Sequence, residues 1–333
     1  MDERRACFFT PGFDGLTTMA EYFKTKFVVN PRSANGRTLK IWPQIEQTIH
    51  EYLPNFDHEF TKEPRDATRI TAEALKAGYE MIVCIGGDGT INETVNGFFE
   101  NGKLIKEDAV LGILCMGTGC DFIKTSGIPR DFKEGVKLLS GRDTQRCDVG
   151  HVTLQKHDGE TAEHYFINIT DFGMGGDVVY RVNNSSKFLR GFMSFLLGMA
   201  KSQIYYRNKI VQLEVDGKPI GERRIKNVIV ANGQYFAGGM RIAKNARLDS
   251  GKFDVIIMGD MNIKESIKWI RKLYTGDIIE FTEKVEYFHA SHVKANSEDD
   301  VMIDMDGEQP GKLPIELKII PGAIRLKAPA PQN

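Results

Sequence analysis

Two glycine-rich segments that each follow an apolar run are the strongest candidates for chemistry in this chain. Residues 86–90 (GGDGT) follow the apolar residues 81–85, and residues 116–120 (MGTGC) follow residues 110–115. Glycine allows the backbone to approach a phosphate group, and the start of a helix presents unpaired N–H groups to it. Asp88 can meet a Mg²⁺ ion bound to that phosphate. Such turns also occur for tight packing alone, so phosphate binding and a plain turn are both open.

A third turn, residues 30–33 (NPRS), follows the first strand-like run of the chain. Ligands of open α/β sheets collect at the carboxyl ends of the strands, so the three turns are expected to line one crevice. The alternative is that they are three independent connections. Residues 86–90 lack the lysine of a P-loop and do not match GxGxxG, which removes the two commonest nucleotide-binding motifs.

A glycine between two carboxylates, at residues 306–308 (DGE), offers a base for phosphoryl transfer. That reaction needs an acceptor hydroxyl in line with the phosphate, charge compensation by Mg²⁺ and a carboxylate that takes the proton. Residues 158–160 (DGE) and 216–218 (DGK) have a similar pattern and are typical of exposed hairpin turns. On spacing alone, a turn is therefore the favoured interpretation of residues 306–308 as well.

Alternating strand and helix patterns between residues 24 and 148 must position the glycine-rich turns. Helices are predicted around Ile41, Ile45 and Ile49 and over residues 64–77, and another is expected to begin near Ile91. Four strands are predicted, at residues 26–30, 55–61, 79–85 and 110–115. The last two are continuously apolar, which is typical of a parallel sheet covered on both faces. The pattern predicts a doubly wound α/β domain.

Short strand patterns replace this alternation after about residue 149. Strands are predicted at residues 151–155, 163–169, 210–215, 224–231 and 253–258. Val301, Ile303 and Met305 alternate before residues 306–308, so a mainly β second domain is predicted at residues 149–317. The apolar residues 188–200 have a basic fringe and are interpreted either as a buried helix or as a helix at the membrane interface.

The composition of the chain argues against several classes of protein. The chain has 333 residues with a net charge of −1, which allows about two domains and gives no basic excess for binding nucleic acid. The five cysteines form no CxxC pair and favour a reducing cytosol. No signal peptide and no uncharged span of roughly 18 residues are present, so neither secretion nor membrane insertion is expected. Residues 1–23 are interpreted as an N-terminal extension.

Taken together, these motifs resemble the catalytic-domain family of diacylglycerol kinases, which includes bacterial diacylglycerol kinases and sphingosine and ceramide kinases. The resemblance covers about residues 24–328. It rests on residues 30–33, Thr61, residues 86–97 (GGDGTINETVNG), 117–122 (GTGCDF), 231–255 and 305–308, in the family's order. GGDGT alone is shared with NAD kinases, whereas its NETVNG continuation and the late DGE favour the lipid kinases.

The resemblance implies an ATP- and Mg²⁺-dependent transfer of the γ-phosphate to the hydroxyl of a lipid such as diacylglycerol. Glu308 would be the general base, with Asp306 beside it and Asp88 near the metal of the nucleotide. The last strand, at about residues 318–328, would return to the first domain. The residues implied to bind the nucleotide are Asn30, Pro31, Arg32, Ser33, Ala34, Thr61, Gly86, Gly87, Asp88, Gly89, Thr90, Asn92, Glu93, Gly117, Thr118 and Gly119.

Residues 247–252 resemble a structural Mg²⁺ loop of the bacterial members. The implied metal ligands are Asp249, Ser250 and the backbone carbonyls of Arg247 and Lys252. Ser250 stands where the usual pattern has a second Asp, so a hard cation loses a carboxylate and a metal-free turn is an equal alternative. Cys120 and Lys124 stand where the family usually has Asn and Arg, and the loss of the Asn weakens a helix cap near the nucleotide.

The sequence therefore predicts a cytoplasmic lipid kinase that associates transiently with the membrane surface, binds no nucleic acid and could form a homo-oligomer. One alternative is an NAD kinase-like phosphotransferase that acts on a soluble dinucleotide. Another is a nucleotide-binding module without turnover, which Cys120 and Ser250 make conceivable. The lipid itself is not identified, because interchangeable apolar residues build an acyl-chain pocket.

Overall fold

A parallel sheet forms the centre of the N-terminal half of the computed structural model, which describes residues 23–184, 202, 205–281 and 283–330. The strands of this half are Thr25–Val29 (β1), Phe56–Phe60 (β2), Met81–Gly86 (β3), Phe99–Glu100 (β4), Lys103–Leu104 (β5) and Val110–Cys115 (β6). Strands β6, β3, β1 and β2 lie side by side in that order, and β4 and β5 form a separate small hairpin.

Helices cover both faces of this sheet. They are Ser33–Tyr52 (α1), Asp66–Lys76 (α2), Asp88–Asn96 (α3), Asp121–Ser126 (α4) and Phe132–Ser140 (α5). Neighbouring strand residues face opposite cores: Phe27 belongs to the core that contains Trp42 of α1, whereas Val28 belongs to the core that contains Ile70 of α2. This arrangement explains the continuously apolar β3 and β6 and confirms the doubly wound α/β prediction.

The C-terminal half is mainly β, as predicted. Its strands are Gln145–Gln155 (β7), Thr161–Phe166 (β8), Ile169–Gly173 (β9), Lys209–Val215 (β10), Lys218–Ile225 (β11), Asn227–Ala231 (β12), Tyr235–Phe236 (β13), Met240–Arg241 (β14), Phe253–Met258 (β15), Val285–Ala290 (β16), His292–Asn296 (β17), Ile303–Met305 (β18) and Lys312–Leu326 (β19). The helices are Met174–Asn184 (α6), Ile263–Thr275 (α7) and a 3-10 turn at Asp277–Glu280. A five-stranded sheet has the order β16-β15-β12-β9-β18.

Strand β19 joins the two halves. It pairs antiparallel with β17 and β7 along most of its length, and its last residues, Arg325 and Leu326, pair in parallel with Val110 and Leu111 of β6. The result is one ten-stranded sheet that contains strands of both halves. The implied return of the last strand to the first domain is therefore confirmed.

Several predicted boundaries differ from the structure. Helix α3 begins at Asp88 rather than near Ile91, because Gly87 already has the extended conformation of an N-cap. The strand predicted at residues 163–169 is divided into β8 and β9, and the one predicted at residues 224–231 is divided into β11 and β12. Helix α7 was not predicted.

Both hairpin turns predicted from Asp-Gly pairs are present. Residues 158–160 connect the paired strands β7 and β8, and residues 216–218 connect β10 and β11. Asp216 and Gly217 have φ angles of 47° and 74°, which suits a two-residue hairpin turn. Within the described residues, no helix combines the length and the apolar character needed to cross a membrane. Residues 1–22 and 188–200 lie outside the described residues, so their interpretation stays a prediction.

Candidate active site

The turns predicted to face one crevice follow neighbouring strands and are tied together by hydrogen bonds. The N–H of Asn30, after β1, donates to the carbonyl of Ile85 in β3 (2.8 Å). The N–H of Met116, after β6, donates to the carbonyl of Gly86 (2.7 Å). The side-chain amide of Asn30 donates to Oγ1 of Thr90 (2.9 Å). The three turns therefore lie side by side at the carboxyl edge of the parallel sheet.

The two glycine-rich turns touch through their backbones. A Cβ atom on Gly117 would lie 2.6 Å from the Cα of Gly87, and one on Gly87 would lie 3.2 Å from the Cα of Gly117. A Cβ contact of 2.6 Å is sterically excluded, so the packing of the two turns requires glycine at position 117. This backbone contact explains the glycines at positions 87 and 117 even if no ligand binds there. Phosphate binding by these turns therefore stays a prediction.

Asp88 connects the two glycine-rich turns. Its Oδ1 accepts hydrogen bonds from the N–H groups of Asp121 (3.0 Å) and Phe122 (3.5 Å), so Asp88 caps helix α4 from another segment of the chain. Cys120, at the N-cap position itself, makes no side-chain cap. Burial raises the pKa of Asp88, Asp121 raises it further, and the backbone N–H groups oppose both effects. The other oxygen, Oδ2, lies beside Gly119.

Cys115 and Cys120 are joined by a disulfide across the second glycine-rich turn. This pair was not predicted from the sequence, whereas Cys84 and Cys147 are free and buried. The turn brings the two Cα atoms to 6.0 Å, and Cys120 has a φ angle of 49°. Asparagine, the residue usual in the family, adopts this left-handed conformation more easily than most residues.

Asp306 has hydrogen-bond partners from several parts of the chain. Its carboxylate accepts from the N–H groups of Ile167 (3.1 Å), Asn168 (3.2 Å) and Ile169 (2.9 Å) and from the side-chain amide of Asn92 (3.0 Å). Burial raises the pKa of Asp306 to about 6, although the hydrogen bonds from Asn92, Ile169 and Ile167 lower it. Asp306 thereby fixes the turn between β8 and β9 and its distance from helix α3.

Glu308 lies in the tight turn that ends β18. Its N–H donates to the carbonyl of Met305 (2.9 Å), so residues 306–308 form a turn, as their spacing predicted. The side chain reaches the first turn of α3, where a Cβ on Gly89 would lie 3.4 Å from Oε1 of Glu308. Solvent reaches the residue, but desolvation by the surrounding protein raises its pKa, and the nearby Glu93 raises it further. The turn therefore carries the Glu308 carboxylate into the glycine-rich crevice.

The turn after β1 has a left-handed backbone. Ala34 has a φ angle of 50°, and the two residues after it also have positive φ angles, so the regular part of α1 begins later than Ser33. The Ser33 hydroxyl donates to the carbonyl of Asn30 (2.9 Å). Pro31 is partly buried, and Arg32 is exposed at the edge of the turn.

Three further residues implied to bind the nucleotide have protein partners. Asn92 donates to the carbonyl of Tyr165 (3.1 Å), in addition to its contact with Asp306. Oε2 of Glu93 accepts a hydrogen bond from the N–H of Ala67 at the start of α2 (3.3 Å). Thr61 follows β2 and is hydrogen-bonded through its N–H to the last residue of β1 (2.9 Å). Asn92 and Glu93 thus hold α3 against its neighbours.

Residues 247–252 form a turn closed by its own hydrogen bonds. Oγ of Ser250 lies 3.3 Å from the carbonyl oxygen of Arg247 and 2.8 Å from that of Lys252, the two carbonyls implied as metal ligands. Asp249 forms an ion pair with Arg247 (3.1 Å). No group of three or more His, Cys, Asp or Glu side chains in the described part of the chain is suited to a metal ion. The Ser250 hydroxyl contacts both carbonyls, which favours the metal-free turn, and Mg²⁺ binding at residues 247–252 stays a prediction.

A cavity of about 540 Å³ lies next to the crevice. Asp88, Thr118 and Gly119 line one end of it, which connects it with the glycine-rich turns. The rest is formed mainly by apolar side chains of α6, α7, β14 and the five-stranded sheet, including Ile169, Val178, Val179, Ile229, Met240 and Leu273. Residues 247–252 do not belong to its lining.

Four acidic or basic residues at this site were not predicted. Asp121 forms an ion pair with Lys124 (2.6 Å) and accepts a hydrogen bond from the N–H of Gly238 (2.7 Å), which ties α4 to the C-terminal half. The sequence feature that could have identified Asp121 is its position inside the GTGCDF motif, residues 117–122. Asp171 and Asp304 line the cavity, and no motif marks either residue.

Comparisons with known proteins agree with this architecture. The profile of the diacylglycerol kinase catalytic domain matches residues 24–152, and that of the YegS C-terminal NAD kinase beta sandwich-like domain matches residues 169–328. The diacylglycerol kinase of Bacillus subtilis (strain 168) is 29% identical over 294 residues, which cover 88% of this chain and 92% of that protein. The chain belongs to the diacylglycerol kinase catalytic-domain family. As a member of this family it is a kinase, for which ATP is the implied phosphate donor.

Two solved structures share the fold of this lipid kinase family member. A crystal structure of a diacylglycerol kinase from Bacillus anthracis has a TM-score of 0.68 at 21% identity and covers 93% of this chain and 98% of its own. Yeast NADH kinase complexed with NADH has a TM-score of 0.55 at 14% identity and covers 99% of this chain and 91% of its own. At these identities the likeness concerns the fold and does not extend to the substrate.

Proposed function

We propose that the protein is an ATP-dependent lipid kinase that transfers the γ-phosphate of ATP to a hydroxyl group of a lipid. Family membership supports a kinase, and the apolar cavity that begins at the glycine-rich turns supports a lipid as the acceptor. Burial of an acyl chain in such a cavity is favourable by about 0.8 kcal/mol for each methylene group. A dinucleotide would leave polar groups unpaired against the same wall, which is unfavourable.

Glu308 is proposed as the general base for the acceptor hydroxyl. Its carboxylate lies beside Gly89 in the first turn of α3, next to the turns on which the nucleotide is expected. A carboxylate with a raised pKa takes a proton from a hydroxyl more readily than an ordinary one. Asp306 is proposed as a positioning residue, because the protein already occupies its oxygens with three N–H groups and an amide.

The nucleotide is proposed to lie on the turns after β1, β3 and β6. Helix α3 begins there, and the N-terminus of a helix favours phosphate oxygens. Mg²⁺ would compensate the charge of the phosphoryl group during its transfer. Asp88 is the carboxylate suited to hold it, through Oδ2, because Oδ1 caps α4.

The proposal is tested by incubating the protein with labelled ATP, Mg²⁺ and either mixed-lipid vesicles or NAD. We expect label in the lipid phase and none in the dinucleotide. Label in NAD but not in lipid would identify the NAD kinase-like alternative. ATP binding without transfer to any member of a broad lipid panel would identify a nucleotide-binding module instead.

A lipid acceptor requires contact with a membrane, and we propose transient association of a cytoplasmic protein with its surface. Co-sedimentation with vesicles of phosphatidylglycerol and phosphatidylcholine measures this association. We expect binding that increases when diacylglycerol is included in the vesicles. Efficient phosphorylation of detergent-dispersed lipid without any vesicle binding would contradict the proposed association and leave the kinase activity in place.

A further inference from the structure

Two carboxyl groups lie next to each other in the wall of the apolar cavity. Asp171 belongs to β9 and Asp304 to β18, and the antiparallel pairing of these strands places the two residues directly opposite each other. Residues in this relation have their side chains on the same face of the sheet, with Cβ atoms about 5 Å apart. Both residues contribute to the lining of the cavity.

Asp171 is buried without a hydrogen-bond partner. Only 1% of its surface is exposed, and neither carboxylate oxygen has a hydrogen bond within the described residues. The Asn227 amide and the Gly176 N–H lie near enough to lower its pKa, but not in hydrogen-bonding geometry. Asp304 accepts one hydrogen bond, from the N–H of Gly307 (2.9 Å). A buried carboxyl group without partners is unfavourable unless something else supplies a donor.

The start of α6 fixes the position of Asp171. A Cβ on Gly175, the second residue of this helix, would overlap Oδ1 of Asp171, so the helix backbone packs directly against the carboxylate. The N-terminus of a helix also favours a negative charge. The side chain is therefore held at the cavity wall by its own surroundings, which is the condition for a preorganised binding group.

No positive charge of the described residues compensates the pair. Burial raises the pKa of Asp171 to about 7. The pKa of Asp304 is raised mainly by burial and then by Asp171, Asp306 and Glu308, and no Lys, Arg or His opposes these effects. Burial and the mutual repulsion of the two groups thus favour their protonated forms. The pair also lacks the third ligand of a metal site within the described part of the chain.

We propose that Asp171 and Asp304 bind a hydrogen-bond-donating group of the lipid, a hydroxyl or an amine other than the hydroxyl that is phosphorylated. This inference rests on the proposed lipid kinase function and defines its substrate class further. Diacylglycerol has one hydroxyl, and its ester oxygens only accept hydrogen bonds, so it leaves the pair unsatisfied. A monoacylglycerol or a long-chain amino alcohol carries a second donor. A site built around buried polar groups discriminates against an analogue that lacks the matching donor.

The test compares lipids with matched chains: dioleoylglycerol, monooleoylglycerol and an 18-carbon 2-amino-1,3-diol. We expect the wild-type kcat/KM to be at least tenfold higher for one of the two donor-bearing lipids than for dioleoylglycerol. Asp171→Ala and Asp304→Ala are expected to bring this ratio close to one without changing the KM for ATP. Asp158→Asn, in the exposed hairpin between β7 and β8, is the control and should keep the wild-type ratio.

The isosteric variant Asp171→Asn separates the two donors. An amide still accepts a hydrogen bond from a hydroxyl, so the preference for monooleoylglycerol should persist within a few-fold. An ammonium group needs the negative charge, so a preference for the amino alcohol should fall at least tenfold. Either result supports the pair as a polar subsite and names its ligand.

Equal lipid ratios in the wild type and in the two alanine variants would overturn the inference while the kinase function stands. If no lipid is phosphorylated, the proposed function fails, and binding decides the inference separately. In that case, displacement of an environment-sensitive fluorescent probe from the cavity is measured with the same three lipids. A donor-bearing lipid must then bind the wild type at least tenfold more tightly than dioleoylglycerol, and Asp171→Ala must lose this difference.

Discussion

Glu308 and Asp306 are separated by one residue, but their surroundings give them different roles. Asp306 is held by N–H groups of the turn between β8 and β9, whereas Glu308 points past Gly89 toward the expected nucleotide. A change at Asp306 should therefore affect folding, and a change at Glu308 should affect turnover. The sequence pattern alone cannot separate the two, because both acids belong to the same Asp-Gly-Glu turn.

Glu308→Gln is expected to lower kcat by about 10²- to 10⁴-fold, the range typical of a lost general base, with the KM for ATP changed only a few-fold. The chain offers a matched control in Glu160→Gln, since residues 158–160 are the same triplet in an exposed hairpin, where Glu160 forms an ion pair with Lys156. Steady-state kinetics with a lipid acceptor measures both variants. Near-normal turnover of Glu308→Gln would show that another group takes the proton.

Asp171 is expected to make the folded protein less stable as the pH rises. Its pKa is raised from 3.8 to about 7, so the folded state binds the proton more tightly than the unfolded state. The stability that protonation provides is complete below the unfolded pKa and is lost as the pH rises through the folded pKa. Relative to the wild type, Asp171→Asn should gain on the order of 2 kcal/mol of unfolding free energy between about pH 5 and pH 8.

Urea unfolding at the two pH values measures this difference. Asp304 faces Asp171, and its pKa is raised by burial and by Asp171, so Asp304→Asn is expected to change the pH dependence in the same direction. Asp158→Asn, on the surface, should show the same change in unfolding free energy between the two pH values as the wild type. If the unfolding free energies of Asp171→Asn and the wild type differ by the same amount at both pH values, Asp171 ionises like an exposed carboxylate.

Among the elements, the strands were easier to predict than the contacts between them. Residues 81–85 and 110–115 were recognised because burial on both faces makes every position apolar. The division of residues 163–169 into β8 and β9 was missed, because it depends on Asp306, which binds the N–H groups of Ile167 and Ile169 from far along the chain. A pattern of local periodicity contains no such information.

The same limit applies to the candidate site. The glycine-rich turns were predicted from their motifs and Glu308 from the family resemblance, whereas the cap that Asp88 makes on α4 and the pairing of Asp171 with Asp304 depend on tertiary contacts. Asp171 and Asp304 look like ordinary polar positions of alternating strands. Only the register of β9 against β18 places them together in the cavity wall.

The contact between the two glycine-rich turns gives a prediction about these loops. Gly117→Ala would place its Cβ 2.6 Å from the Cα of Gly87, so the turns must separate. We expect the affinity for ATP to fall at least tenfold, measured by isothermal titration calorimetry. Gly141→Ala is the control, since its φ of −67° suits alanine and its closest contact is 3.4 Å. Unchanged ATP affinity of Gly117→Ala would remove these turns from the nucleotide site.

The loop at residues 247–252 is expected to be independent of metal. Ser250 bonds to the carbonyls that a cation would need, so Mg²⁺ or EDTA should leave the melting temperature of the nucleotide-free protein unchanged. Ser250→Asp supplies a second carboxylate and is expected to create a Mg²⁺-dependent increase in melting temperature. Stabilisation of the wild type by Mg²⁺ alone, together with its loss in Asp249→Ala, would show that the loop binds the metal after all.

At the scale of the whole molecule, strand β19 makes the two halves dependent on each other. It pairs with β7 and β17 in the C-terminal half and with β6 in the parallel sheet. The cavity also takes its lining from both halves, with Asp88 and Thr118 at one end and Val178 and Ile229 elsewhere. A continuous sheet keeps the glycine-rich turns at a fixed position relative to this cavity. We therefore expect the molecule to unfold as one cooperative unit.

A substitution in the C-terminal core tests this expectation through a probe in the other half. Leu317 of β19 is fully buried, and Leu317→Ala should lower the unfolding free energy by about 3 kcal/mol. Trp42 of α1 reports on the N-terminal half in a Trp269→Phe background, because the chain has only two tryptophans. If the halves are coupled through β19, Leu317→Ala shifts the Trp42 fluorescence transition in urea as far as the circular dichroism transition. Leu39→Ala is the control, because this side chain is 54% exposed, and it should shift neither the fluorescence transition nor the circular dichroism transition. If Leu317→Ala leaves the Trp42 fluorescence transition unchanged, the two halves unfold separately.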